Sequence, residues 1–200
     1  MSKNNNYNLV AENTQSTVVA EYVSGTKRLS QYQSEDALEK AFIKQLESQA
    51  YEYIAIKSEN DLILNLRKQL EKLNSYTFSD AEWDRFFTSE IANPNQSIEE
   101  KTATIQENEV KNLYGDDGKF KRNITLLDKK NIHNNSLQVI NQYVTEDGQR
   151  SNRYDVTVLV NGLPLIHIEL KRRGVAIQEA FNQINRYQRE SFWASSGLIE

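Results

Sequence analysis

Apolar positions along this chain change period several times, and each change marks an element. Behind Ser34, a cap residue followed by Glu35 and Asp36, the residues Leu38, Ala41, Phe42 and Leu46 recur at helical spacing, which predicts a helix over residues 35 to about 49. Residues 51–56 read as a short strand. Helical patterns follow over 59–73, 79–88 and 97–113, separated by Asn74-Ser75 and Asn93-Pro94-Asn95. No Gly/Ser-rich linker sets these helices apart, so they are expected as a helical insertion, about 59–113, packed on the same core. Gly115-Asp116-Asp117-Gly118 is a turn, and residues 123–128 and 137–144 read as strands. Tyr154 to Val160 is β-branched and apolar, Asn161-Gly162 is a hairpin-turn signal, and residues 163–171 run extended again, which predicts a β-hairpin. A last helix is predicted over 175 to about 190, with Ile177, Ala180, Phe181, Ile184 and Tyr187 as one buried stripe and Gln183 beside it. Residues 1–33 are rich in Asn, Ser and Thr and are expected to be a loose N-terminal arm. The order helix, strand, helices, strands, hairpin, helix implies an α/β fold, a sandwich around a mixed sheet.

With 200 residues and 38% hydrophobic content, the chain can bury one core. It has no cysteine, which excludes disulfides and thiolate zinc sites and fits a reducing compartment. No apolar run reaches membrane-spanning length and residues 1–7 are too polar for a secretory signal, so a soluble, cytoplasmic protein with no membrane partner is expected. The net charge of −4 argues against a generally basic nucleic-acid binder. It hides an asymmetry: residues 150–190 hold seven basic and four acidic side chains, whereas residues 79–118 hold ten acidic and three basic. A phosphate backbone would go to the first region and avoid the second, and ordinary solvated faces are the alternative.

Within the basic region, Asp155 is followed fourteen residues later by Glu169-Leu170-Lys171. Two carboxylates beside a lysine suit metal-assisted phosphodiester hydrolysis, because hard oxygens hold Mg²⁺ and an ammonium can orient water or stabilise developing negative charge. Taken alone the pattern is weak, and a surface Glu169–Lys171 ion pair would also explain it. Strand alternation puts Pro164, Ile166, Ile168 and Leu170 on one apolar face and Leu165, His167, Glu169 and Lys171 on the other. A two-residue Asn161-Gly162 loop would then pair Asp155 with Ile168 and turn it away from Glu169. The chemistry needs the two together, so a three-residue loop, Val160-Asn161-Gly162, is predicted, pairing Asp155 with His167. His167 is expected to be a structural histidine rather than a metal ligand. Arg172, Arg173, Arg186 and Arg189 form a candidate phosphate-contacting patch.

Residues 152–165, from Asn152-Arg153-Tyr154-Asp155 through Asn161-Gly162-Leu163-Pro164-Leu165, then Ile168-Glu169-Leu170-Lys171-Arg172-Arg173-Gly174 and Glu179-Ala180-Phe181-Asn182-Gln183-Ile184, resemble the N-terminal nuclease domain of the restriction (R) subunit of type I restriction-modification enzymes. The resemblance is closest to the IC-type subfamily and extends to Tyr32-Gln33-Ser34-Glu35. It implies a PD-(D/E)XK endonuclease domain over residues 34–200, a restriction-endonuclease-like mixed sheet flanked by helices with an acidic helical insertion. By the same resemblance this domain cuts double-stranded DNA non-specifically with Mg²⁺. Asp155 and Glu169 fall on the metal-binding positions, Lys171 on the catalytic lysine, and Gln183 and Tyr187 on a motif that contacts DNA and supports the site. Glu39, with Glu35 second, is the candidate for an additional metal-binding carboxylate from the first helix.

The implied partners are DNA and the methyltransferase and specificity subunits of a restriction complex. ATP is expected to act only through motor domains of a longer subunit, since no G-x-x-x-x-G-K-[ST] phosphate loop occurs here. The C-terminal end is accordingly expected to be truncated. A catalytically silent DNA-binding or protein-docking fragment is the alternative reading.

Overall fold

A computed structural model describes residues 6–12, 18–23, 34–145, 152–172 and 177–190. Its centre is a four-stranded sheet in the order β3-β6-β7-β8, formed by β3 (Glu52–Tyr53), β6 (Leu137–Thr145), β7 (Asn152–Val160) and β8 (Leu163–Ile168). β3 runs parallel to β6, and the remaining pairs are antiparallel. The sheet is mixed, as its sequence order implies.

Both faces of this sheet are covered because its central strands are apolar on both sides. Helix α1 (Glu35–Ser48), capped by the Ser34 hydroxyl accepting from Ala37 N, lays Ile43 and Leu46 on Val139, Val156 and Val158. Helix α2 (Glu59–Asn74), capped by Ser58, sets Leu62 against Ile140, Tyr143, Tyr154 and Leu159 on the opposite face. Its next two turns carry Leu66 and Leu70 into a third cluster with Phe78, Trp83, Phe86, Leu113, Ile124, Leu126 and Leu163. The expected insertion is therefore continuous with the core, through α2.

Helix α3 (Asp80–Phe86) begins with a reciprocal capping box between Ser79 and Glu82 and runs into a π-turn, Phe87–Ile91, where a single helix over 79–88 was expected. Helix α4 (Ile98–Glu107) stops six residues short of its expected end at 113. Residues Val110–Tyr114 form β4 instead, pairing with β5 (Phe120–Thr125) around the Gly115–Gly118 turn. The reason is a period of two: Lys111 and Leu113 are buried while Val110, Asn112 and Tyr114 face out. At the N-terminus, where a loose arm was expected, β1 (Asn6–Glu12) and β2 (Val18–Val23) form an antiparallel pair, consistent with the β-branched residues of the second segment. Helix α5 (Ile177–Glu190) buries Phe181, but Ile184 of its expected stripe is 44% exposed.

The tip of the β7–β8 hairpin is built into the core. Asn161 and Gly162 both take positive φ, 52° and 84°, as a two-residue turn requires. The Asn161 amide donates to Leu126 O at 2.9 Å and Asn135 Oδ1 at 2.7 Å, while its Oδ1 accepts from Ser136 N at 2.8 Å. Gly162 lies directly against the backbone of Leu66 in α2.

Candidate active site

The pairing of β7 with β8 resolves the parity problem by a different route from the predicted one. The loop has two residues, with Val160 paired to Leu163 and Leu159 to Pro164, not three. The extra residue lies within β8: Val158 pairs with Ile166, so Leu165 is bulged out. Beyond the bulge Thr157 pairs with His167, where Asp155 was expected, and Val156 pairs with Ile168. One further step of this register brings Asp155 opposite Glu169. The bulge also breaks the expected apolar face of β8, leaving Ile166 52% exposed beside Leu165 at 42%, while Ile168 and Leu170 pack towards α1.

Asp155, Glu169 and Lys171 are brought into contact by this arrangement. Asp155 Oδ2 accepts from the Leu170 backbone N–H at 2.9 Å, which ties the carboxylate to the chain between the other two residues. Lys171 Nζ donates to Glu169 Oε1 at 2.8 Å, with the Glu169 side chain 3% and the Lys171 side chain 19% exposed. Burial pushes the Glu169 pKa up, the Lys171 hydrogen bond opposes it, and the neighbouring Asp155 charge and hydrogen bond push it further up. For Lys171 burial acts downward, but the hydrogen bond to Glu169 and the charges of Glu169, Asp155 and Glu35 outweigh it, so its pKa is raised. The ammonium stays protonated at neutral pH.

Of the two carboxylates singled out on α1, Glu35 is exposed, acts on Lys171 through its charge, and its Oε1 lies 3.5 Å from the Arg172 backbone N. Glu39 is buried, and its oxygens accept from the side-chain amides of Asn141 and Gln142 on β6. His167 is enclosed between Thr157 Oγ1, 2.9 Å from Nδ1, and the Tyr154 ring, stacked at 4.4 Å. Burial lowers its pKa to about 4, so the ring is neutral at physiological pH. Gln183 is half-buried on α5 and Arg172 is exposed. The side chains of Arg186, Tyr187 and Arg189, and all of Arg173, lie outside the described residues.

Asn141, Gln142 and the Tyr154–His167 stack carry no sequence signal as site neighbours. They come to the site through strand pairing and through contacts about a hundred residues long in sequence. Among the described residues no group of three or more His, Asp or Glu side chains is disposed around a common metal position; the arrangement present is the carboxylate pair with its lysine. No helix among the described residues is long and apolar enough to cross a membrane.

Residues 32–200 match the protein family described as the N terminus of the type I restriction enzyme R protein. The chain is 44% identical over 192 residues to the EcoprrI type I restriction enzyme endonuclease subunit of Escherichia coli, covering 96% of this chain and 61% of that protein. It is 38% identical over 166 residues to the SsaAORF53P endonuclease subunit of Staphylococcus saprophyticus, covering 80% of this chain and 17% of that one. A shorter match, 36% over 80 residues, joins it to a putative endonuclease subunit of Methanocaldococcus jannaschii. The chain thus spans less than two thirds of the length of these relatives.

Proposed function

The chain belongs to the family of type I restriction enzyme R protein N termini, and from that premise we propose that it is a Mg²⁺-dependent endonuclease domain, hydrolysing double-stranded DNA phosphodiesters without reading their sequence. The observation that carries this reading is the contact of Asp155, Glu169 and Lys171 at the end of the β7–β8 hairpin. A bulge in β8 is spent on making it.

Asp155 and Glu169 are the residues that would hold the ion. They supply hard oxygens, and the Asp155 charge adds to burial in raising the Glu169 pKa, a repulsion that a divalent cation would relieve. Mg²⁺ needs only one or two protein carboxylates and completes its shell with water. When bound, it would supply positive charge to polarise the phosphodiester and make water a better nucleophile.

The chain's own residues do the rest. Leu170 N–H fixes the Asp155 carboxylate against the strand end that carries Glu169 and Lys171. Lys171, held protonated, is suited to stabilise negative charge on a phosphoryl oxygen and unsuited to act as a base. Arg172 adds exposed positive charge next to the site. In the assembled enzyme, site recognition and modification fall to specificity and methyltransferase subunits, and ATP-driven movement along DNA to other domains.

The test is Mg²⁺-dependent cleavage of supercoiled DNA by the assembled enzyme, comparing wild type with Glu169→Gln and Lys171→Ala. Both variants are expected to translocate on DNA and to lose cleavage by at least about 100-fold, the scale of removing one charge-stabilising group. Variants that translocate and cut at the wild-type rate would remove these residues from the chemistry.

A further inference from the structure

Glu39 is 7% exposed although it carries a carboxylate. Asn141 Nδ2 donates to its Oε1 at 2.5 Å and Gln142 Nε2 donates to its Oε2. The Asn141 amide is held at its other end too, since its Oδ1 accepts from the Tyr53 hydroxyl at 2.8 Å.

The second of these amide donors has an unusual backbone. Gln142 lies within β6 yet has φ 53°, a left-handed conformation that side chains other than Asn, Asp and His seldom adopt. Such a residue persists only where its surroundings over-determine it. Its position is opposite Asp155: Asn141 pairs with Val156 and Tyr143 with Tyr154, and the pairing passes over Gln142 and Asp155. A kink in one neighbouring strand therefore faces the carboxylate that the bulge in the other neighbour brings to Glu169.

We infer that Glu39 is a positioning residue of this site: it clamps Asn141 and Gln142, holds the left-handed kink of β6, and so sets how Asp155 is presented to Glu169 and Lys171. The inference rests on the proposed nuclease site and replaces the metal-ligand role expected for Glu39 from the sequence. Each of its oxygens already accepts a charge-assisted amide bond. A cation at either oxygen would have to compete with that bond for the oxygen's charge.

A double-mutant cycle in the assembled enzyme separates the two roles. Glu39→Gln sets an amide donor against one of the two amides that Glu39 accepts from, and is expected to slow cleavage by about 10- to 100-fold, as sub-ångström to ångström misplacement does. Glycine adopts positive φ without a clamp, so in the Gln142→Gly background the further effect of Glu39→Gln should fall below about threefold. A metal ligand would cost the same factor in both backgrounds, which would overturn the inference, as would unchanged cleavage in the single variant.

The second readout needs no metal. Hydrogen exchange of the Leu170 amide, which donates to Asp155, is followed with EDTA present and referred to Ile124 in the distant β4–β5 core. Glu39→Gln should accelerate Leu170 several-fold and leave Ile124 unchanged; an unchanged Leu170 refutes the clamp. If Glu169→Gln cuts like wild type, the nuclease reading fails, while the exchange measurement still decides the role of Glu39. Should Glu39→Gln not fold, Glu39→Asp, one methylene short of spanning both amides, is read by the same two measurements.

Discussion

Gly162 is the position where the hairpin that carries the site meets the helix that supports it, and Gly162→Ala is the perturbation that tests this contact. Two costs add. The residue has φ 84°, and a Cβ in the left-handed region costs about 1–2 kcal/mol. The added methyl would also lie 2.5 Å from Leu66 Cα and 3.0 Å from Leu66 N. These are backbone atoms of a helix whose Leu62, Leu66 and Leu70 are wholly buried, so no flexible side chain can move aside. Overpacking of this kind costs about 1–3 kcal/mol. Together the substitution should destabilise the fold by about 2–5 kcal/mol, which for a chain of this length lowers Tm by roughly 10 °C.

Gly118→Ala is the internal control. It shares the positive φ, 72°, but a Cβ there meets nothing within 4 Å, so only the backbone cost of about 1–2 kcal/mol remains, roughly 3–6 °C. Thermal unfolding followed by circular dichroism compares the two directly. Equal shifts would refute the close approach of the turn to α2, and a Gly162→Ala protein melting within a degree of wild type would refute both costs.

Other expectations follow from neighbouring features. Inserting one alanine between His167 and Ile168 shifts the strand beyond it by one place, pairs Asp155 with Ile168 and turns Glu169 and Lys171 away from Asp155; DNA cleavage should be lost while the far-ultraviolet dichroism persists, and an insertion that still cuts would break the link between register and site. Asn161→Ala strips partners from Leu126 O, Asn135 Oδ1 and Ser136 N at once, costing about 2–4 kcal/mol in urea unfolding. Asn161→Asp should be worse still, because it sets a charged acceptor against two acceptor oxygens. Glu82 is held at about 2 by the Lys121 hydrogen bond first and the Ser79 backbone N–H second. A depressed carboxylate stabilises the fold fully above its unfolded value near 4.5 and loses that contribution as pH falls towards 2. The half-exposed Lys121 tempers this to about 1–2 kcal/mol, so Glu82→Gln should flatten the acid limb of the stability curve in that window, and an unaltered limb would contradict the pairing.

What could be read from the sequence divides along a physical line. Ser34 before Glu35 and Asp36, the helical pattern over 59–73 and the Asn161-Gly162 turn are local signals, and each appears where its chemistry predicts. The need for one odd residue between Asp155 and Glu169 could also be derived, because strand parity is arithmetic. Where that residue sits could not: Leu163-Pro164-Leu165-Ile166 is unbroken apolar chain, and the bulge is selected by Asn161 and Gly162 being locked into Leu126, Ser136 and Leu66, far away in sequence. Residues 110–113 carry a helical pattern in the sequence for the same reason, since their strand character is settled by pairing with 120–125.

Gln142 shows the limit most clearly. Glutamine has no preference for positive φ, and what holds it is a carboxylate on α1, 103 residues earlier. The strand carrying Asp155 keeps its register with β6 on both sides of the site, while the two strands beside it depart from regularity, β6 by the kink at Gln142 and β8 by the bulge at Leu165. A regular sheet would alternate Asp155 and Glu169 onto opposite faces. Their contact therefore depends on irregularities in the neighbours, and substitutions at Glu39, Gln142 or Leu165 can disable the site without touching any of the three residues that form it.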